Sequence, residues 1–239
     1  MLRTIVCVIR FVMYLVFKNH LLNKAMKLDK QGKIKERDEL TNDIVRNWAR
    51  FVVGLTKAEI EVRGQENIPS DTAVVMIGNH QSYLDIPVLM GYVNKPIAFI
   101  SKSEILKVPV LSKAMKLMQC TFLVRTDMRQ SVKAMAEAVE TIKKGYSMVI
   151  FPEGTRSKGG PVVDFKPGSF KLAYKSGVPI LPVTIDGTYK LFEEKNKVQS
   201  GKVIITIHPA VPTAALTKEE QIQIPEKVRA IVLSALPNE

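Results

Sequence analysis

The spacing of apolar positions divides the chain into two parts. Residues 4–17 are almost wholly apolar, interrupted by Arg10. Ile44, Val45, Trp48, Phe51, Val52 and Leu55 then recur at helical spacing, with Arg46, Arg50 and Lys57 between them. The stretch Lys24 to Glu39 is strongly charged and contains Gly32, which predicts a polar connection with frayed helix on either side. From Ala58 the pattern changes. Short apolar runs bounded by Gly, Pro and polar residues predict strands over 59–63, 72–77, 97–101, 120–124, 148–151, 180–185 and 203–207. Helical segments are expected at 86–90, 110–118, 128–144, 169–175 and 228–236. Asp127 caps the third of these and Gly145 ends it, while Val132, Met135, Ala136, Val139 and Ile142 share its apolar face. Pro225 sits near the start of the last. Strands alternating with helices imply an α/β fold: a mixed, mostly parallel sheet covered by helices, preceded by a two-helix motif. The expected units are 1–57 and 58–239.

The N-terminal unit reads as membrane-associating. A spanning helix needs about 20 apolar residues, and the run 4–17 is shorter and carries a charge. A helix lying in one leaflet, with Arg10 snorkelling to the headgroups, fits better. Trp48 on the apolar face of the second helix suits a membrane interface. A core helix, or a helical hairpin covering one side of the sheet, is the alternative. No small-residue cleavage site follows the apolar run, which argues against a signal peptide.

Charge sharpens this picture. The 239 residues carry a net charge of +12. Residues 1–57 hold 12 Lys or Arg against 5 Asp or Glu, so most of the excess lies beside the most apolar run. Such a balance points to a polyanion: nucleic acid, an anionic membrane surface or a phosphorylated substrate. Aromatics are 7% and lie in apolar runs rather than among the basic residues, which disfavours nucleic acid. Cys7 and Cys120 have no metal-type spacing, and two cysteines suggest a reducing compartment.

The candidate chemistry starts at Asn79-His80-Gln81-Ser82-Tyr83-Leu84-Asp85, between a strand and a short helix. Ser82 and Asp85 resemble a capping box, which would hold Asp85 in the first helical turn. From there Asp85 can reach one nitrogen of His80, leaving the other as a base. A turn histidine beside a capping Asp is the plainer alternative. Beyond three other strand ends stand Lys102, Arg125 and the loop Pro152-Glu153-Gly154-Thr155-Arg156-Ser157. Ligands of parallel sheets bind at that edge. Gly154 would let backbone N–H groups approach an anion, and Arg156 could clamp a phosphate. A local Glu153–Arg156 ion pair is the competing reading of the loop, and solvated strand ends that of Lys102 and Arg125. No nucleophile elbow, zinc motif, Walker loop or dinucleotide fingerprint is present.

These residues together resemble the glycerolipid acyltransferases. Asn79 to Asp85 matches their His-x4-Asp motif. Cys120-Thr121-Phe122-Leu123-Val124-Arg125 looks like their second block, with Cys where Gly is frequent. Phe151 to Ser157 is similar to the third, and Val178-Pro179-Ile180-Leu181-Pro182-Val183-Thr184 to the fourth. The compact bacterial 1-acyl-sn-glycerol-3-phosphate acyltransferases are the most similar group. The resemblance implies acyl transfer from acyl-CoA or acyl carrier protein to the sn-2 hydroxyl of lysophosphatidic acid. His80 would be the base and Asp85 its partner. Arg125, Glu153, Gly154, Thr155 and Arg156 would form the phosphate site, with Glu153 orienting Arg156 and Lys102 as a possible further cation. No metal or cofactor is implied. The cytoplasmic face of the cell membrane, with a monotopic or peripheral attachment, is the implied location. Glycerol-3-phosphate or another lysophospholipid as acceptor is the alternative within enzymes, and a basic lipid-headgroup-binding module the alternative outside them.

Overall fold

The computed structural model describes residues 2–124 and 127–237. Among them, seven strands form one sheet in the order β1-β7-β6-β2-β5-β3-β4. The strands are β1 (Glu59–Arg63), β2 (Val75–Gly78), β3 (Ile97–Lys102), β4 (Thr121–Leu123), β5 (Ser147–Ile150), β6 (Ile180–Asp186) and β7 (Lys202–Ile207). Five of them, from β6 to β4, run parallel; β7 is antiparallel to β6 and parallel to β1. The helices are α1 (Leu2–Lys30), α2 (Ile34–Thr56), α3 (Asp85–Tyr92), α4 (Pro109–Leu117), α5 (Met128–Lys143), α6 (Lys171–Ser176) and α7 (Lys218–Leu233). This is the mixed, mostly parallel sheet flanked by helices that the pattern predicts.

The centre of the sheet is fully covered. Val75, Met76 and Ile77 of β2 have no exposed surface, as expected of a parallel strand with helices on both faces. Helix α2 adds Ala49 and Val53 to the same core. The N-terminal helices are therefore packed on the sheet layer through α2 and α3, not appended to it.

Pro182 lies in β6, which has neighbours on both sides, where a missing N–H would normally break a ladder. The ladder is interrupted there. Ile180 pairs with Val211 and Val183 with Ile207, so four steps on one side face three on the other. Pro182 falls in this bulge, and its carbonyl accepts from the His208 N–H at 3.0 Å.

Three element boundaries differ from the sequence reading. Helix α1 continues to Lys30 and α2 begins at Ile34, so the break is only Gln31-Gly32-Lys33. Local ion pairs and one distant hydroxyl hold this charged segment in helix. Arg37 is buried and meets Asp29, Asp38 and the Tyr146 hydroxyl, while Leu22 and Ala25 bury a second small cluster. The closing helix α7 starts at Lys218, ten residues before the expected start. Thr217 and Glu220 form a complete capping box there. Pro225 sits inside the helix and offers no N–H to the Gln221 carbonyl, which instead accepts from the Tyr174 hydroxyl at 3.0 Å. Finally, α3 begins at Asp85 and not after Ser82.

Gly78, the last residue of β2, leaves no room for a side chain. A Cβ there would lie 2.4 Å from the Val183 carbonyl oxygen of β6. A Cβ on Gly54 in α2 would meet nothing within 4 Å. Gly78→Ala should therefore destabilise by about 3 kcal/mol or more, from backbone overpacking. Gly54→Ala should stabilise by about 0.5–1 kcal/mol, from helix propensity alone. Urea unfolding of both variants checks the pair of signs.

Candidate active site

Immediately after Gly78 the chain leaves the sheet without leaving its hydrogen bonds unmet. The Asn79 side chain takes the place of the next strand residue. Its Nδ2 donates to the Ile185 carbonyl and its Oδ1 accepts from the Ile185 N–H, both at 2.8 Å. The backbone is thus free to turn, and His80 is delivered to the carboxyl-terminal edge of the sheet.

Asp85 organises that turn. Its side chain has no exposed surface. One oxygen, Oδ2, lies 2.6 Å from His80 Nδ1 and accepts from the Gln81 N–H at 2.7 Å and the Ser82 N–H at 2.9 Å. The other oxygen accepts from the Thr188 hydroxyl. Gln81 Oε1 also lies 3.4 Å from that hydroxyl, but one proton cannot serve both, and the Asp85 contact is the shorter. Gln81 Oε1 accepts instead from the Gly187 N–H at 3.0 Å. Of the expected capping box only the Asp85 half forms; Ser82 Oγ accepts from the Leu84 N–H. The His80 ring stacks on Phe151, with centroids 4.1 Å apart and planes 9° from parallel. Its Nε2 makes no hydrogen bond to a described residue, and the side chain is 18% exposed. The ring is fixed on one side and open on the other.

The loop after β5 is stitched to this turn. The Ser157 N–H donates to the His80 carbonyl at 2.8 Å and the Lys158 N–H to the Gln81 carbonyl at 3.2 Å. Buried Glu153 accepts from the His80 N–H at 2.6 Å and approaches the Val163 N–H at 3.4 Å. It does not touch Arg156. The expectation that Glu153 orients Arg156, and the competing Glu153–Arg156 ion pair, are both overturned. Gly154 between them is left-handed, at φ 71°, and turns the chain so that the two side chains leave in different directions.

The partner of Arg156 is Glu193, a residue the sequence reading did not single out. Arg156 Nη1 donates to Glu193 Oε1 at 2.9 Å, and the guanidinium carbon lies 3.3 Å from the centroid of the Tyr83 ring. The same carboxylate accepts from the Ser82 hydroxyl at 2.7 Å and the Tyr83 N–H at 2.9 Å. Thr188 and Glu193 both follow β6, a fifth parallel strand that ends at this edge. That strand direction was the available signal: anything shortly after β6 had to land beside His80.

The other expected site residues are placed less closely. Lys102 ends β3, two strands from β2, where it is exposed and makes no hydrogen bond or ion pair with a described residue. Thr155 is exposed at the loop tip. The Gly154 N–H donates to the Phe151 carbonyl, and Lys166 Nζ occupies the space a Cβ on Gly154 would need. Arg125 lies outside the described residues. Among the described residues, no group of three or more His, Cys, Asp or Glu could hold a metal ion.

An apolar cavity of about 430 Å³ reaches the His80 turn through Tyr83 and Leu84. Its walls come from α1, α2, α3 and α4, including Phe11, Trp48, Met90 and Ala114. Trp48 therefore faces this cavity and packs against Phe11, with centroids 6.2 Å apart. Its Nε1 is buried there without a hydrogen-bond partner among the described residues.

Burial pushes the Glu153 carboxyl above its ordinary 4.5, and the N–H groups of His80 and Val163 pull it back only in part. Its favourable contribution to stability is thus complete below the unfolded value and is lost as pH rises through the higher folded value. Glu153→Gln removes this titration. In urea unfolding from about pH 4 to about pH 7, across the carboxylate range, the wild type should lose stability relative to the variant. A difference that does not change with pH would sink this assignment.

Comparison with known proteins agrees with the geometry. A family profile described as Acyltransferase matches residues 59–186. The 1-acyl-sn-glycerol-3-phosphate acyltransferase of Borreliella burgdorferi is 31% identical over 81% of this chain and 78% of its own length. The chloroplastic 1-acyl-sn-glycerol-3-phosphate acyltransferase BAT2 of Brassica napus is 41% identical over 70% of this chain. The match spans about half the length of that relative, 49%. The crystal structure of the 1-acyl-sn-glycerophosphate acyltransferase PlsC from Thermotoga maritima superposes with a TM-score of 0.83, covering 100% of this chain and 99% of its own, at 29% identity. By the family match over residues 59–186 and the relative from Borreliella burgdorferi, the chain belongs to the acyltransferase family that includes the 1-acyl-sn-glycerol-3-phosphate acyltransferases.

Proposed function

We propose that this protein transfers a fatty acyl group from a thioester, carried by CoA or acyl carrier protein, to the sn-2 hydroxyl of lysophosphatidic acid. The product is phosphatidic acid. The observation that carries this reading is the His80–Asp85 pair, in a turn whose Tyr83 and Leu84 line an apolar cavity and which is bonded to the loop carrying Arg156. The names of the relatives favour the same acceptor.

His80 Nδ1–H donates to Asp85, which leaves Nε2 as the acceptor for the substrate hydroxyl proton. The alkoxide attacks the thioester carbonyl. The tetrahedral intermediate collapses, the carbon–sulfur bond breaks, and the His80 proton passes to the departing thiolate. Asp85 stabilises the imidazolium between these steps. Arg156 and Arg125 hold the phosphate. Glu153 acts through the backbone, fixing the His80 N–H and not the anion.

The cavity is of ordinary ligand-pocket size and almost wholly apolar, which suits an acyl chain. Each buried methylene contributes about 0.8 kcal/mol. Helix α1 is long and apolar enough to cross a membrane by length and composition. It also packs along α2 and α4, and Ile5, Val8, Ile9, Val12, Val16 and Phe17 remain half to two-thirds exposed. We read this as a helix lying in one leaflet of the cytoplasmic face, holding the sheet edge at headgroup height. The basic excess of residues 1–57 adds about 1 kcal/mol per Lys or Arg near an anionic surface.

Acylation of lysophosphatidate in vesicles, with both donors and with glycerol-3-phosphate and other lysophospholipids as alternative acceptors, tests the assignment. His80→Ala should fold normally and lose about 10²–10⁴-fold in kcat, the range of general acid–base catalysis, while Asp85→Asn should lose kcat similarly and also melt lower, because its amide leaves buried donors of the turn unpaired. Wild-type product from glycerol-3-phosphate alone would replace the acceptor. Unchanged turnover by His80→Ala would remove the base. A second set of assays concerns the cavity. Ala114→Trp fills part of it and should shift donor or acceptor preference toward shorter chains by about tenfold, the cost of about two methylenes. An unaltered chain-length profile would place the acyl chain elsewhere.

A further inference from the structure

Glu193 is a buried carboxylate beside a site meant for an anion, where its charge opposes the ligand. Its side chain is 4% exposed. Its recorded partners all belong to the site: the Ser82 hydroxyl, the Tyr83 N–H and Arg156 Nη1. We propose that Glu193 is a positioning residue that presents Arg156 to the acceptor phosphate. This rests on the reading of Arg156 as a phosphate ligand.

The guanidinium geometry supports it. Arginine binds oxyanions through planar two-nitrogen edges. Glu193 takes Nη1, and Tyr83 covers one face of the plane at 3.3 Å. Nε and Nη2 make no hydrogen bond to a described residue, so one complete edge stays available. A lone arginine on a loop would sample many rotamers. Here one nitrogen and one face are engaged, and the remaining edge points in one direction. The ordering is completed before substrate arrives, which reduces what binding must spend on it.

The other contacts of Glu193 link this edge to the base. Ser82 Oγ, which donates to Glu193, accepts from the Leu84 N–H. The Ser82 N–H donates to Asp85, which holds His80. Arg156 and His80 are thus separated by a short chain of hydrogen bonds through Ser82, Glu193 and Asp85. Glu193 itself touches neither the reacting atoms nor, in this arrangement, the substrate.

The experiment is a double-mutant cycle on acylation of lysophosphatidate, read as separate kcat and KM. Glu193→Gln is nearly isosteric, but its single acceptor oxygen cannot serve all three donors. It should raise KM about tenfold and change kcat by less than about threefold, the signature of lost substrate binding. Arg156→Ala should raise KM further. Adding Glu193→Gln to Arg156→Ala should change KM by less than about twofold, because a residue acting through Arg156 has nothing left to act on. Loss of kcat in both backgrounds, the mark of a purely structural Glu193, or equal, additive KM effects would overturn the proposal. If Arg156→Ala leaves KM unchanged, the phosphate reading itself fails and the proposal falls with it. If Arg156→Ala raises KM but Glu193→Gln does not, only the role of Glu193 fails. Glu193→Asp, which keeps the charge but cannot span Ser82 and Arg156 together, gives the same comparison if Glu193→Gln does not fold.

Discussion

The carboxylate of Asp85 is completely buried and accepts four hydrogen bonds, and the geometry of the site depends on it. Removing such a group from water costs several kcal/mol, and only full hydrogen bonding offsets that cost. Two of the donors are backbone N–H groups of the turn, one is His80 Nδ1 and one is the Thr188 hydroxyl beyond β6. The charge therefore does more than meet a histidine. It shapes the turn that carries the histidine and ties that turn to the neighbouring strand. The His80 ring can be held in one orientation because the group that orients it cannot move without leaving buried donors unpaired.

Two other buried acids extend this logic. Glu153 accepts from the His80 N–H, and Glu193 accepts from Ser82, Tyr83 and Arg156. Loops from three adjacent strands, β5, β2 and β6, thus meet at one turn through carboxylates, each bonding mainly to backbone or to a fixed cation. Desolvation raises Glu153 above its ordinary range, which shows the energetic cost of such placement. The return is a rigid arrangement of His80 and Arg156 at the sheet edge, on elements already hydrogen-bonded to one another.

The helices on the other side of the turn supply what the sheet lacks. A parallel sheet edge offers N–H groups, cations and a base, but no space for a long apolar ligand. Helices α1, α2, α3 and α4, with β3, line that space, and Tyr83 and Leu84 of the turn form part of its wall. The same helices leave an apolar face of α1 uncovered. Polar chemistry and apolar binding are therefore divided between the two layers and meet at the turn containing Tyr83, Leu84 and Asp85.

The alternation of apolar runs with helical segments was sufficient for the α/β class, because strands buried on both faces must be short and apolar and crossovers must be long. His80, Asp85 and Arg156 were legible as chemistry, because their residue types and their place after strands carry the argument. The structure decided what pairing requires. Glu153 and Arg156, three residues apart, do not meet, since a left-handed glycine intervenes. Arg156 instead finds Glu193, thirty-seven positions away, and no local pattern encodes that contact. Pro225 lies within a helix because the Tyr174 hydroxyl, fifty-one residues earlier, answers the freed Gln221 carbonyl. Charged residues 24–39 are mostly helical because buried Arg37 reaches Asp29, Asp38 and Tyr146. Periodicity reports which face of an element is buried, and that is local. Which polar group satisfies which is set by elements distant in sequence, and only the assembled structure settles it.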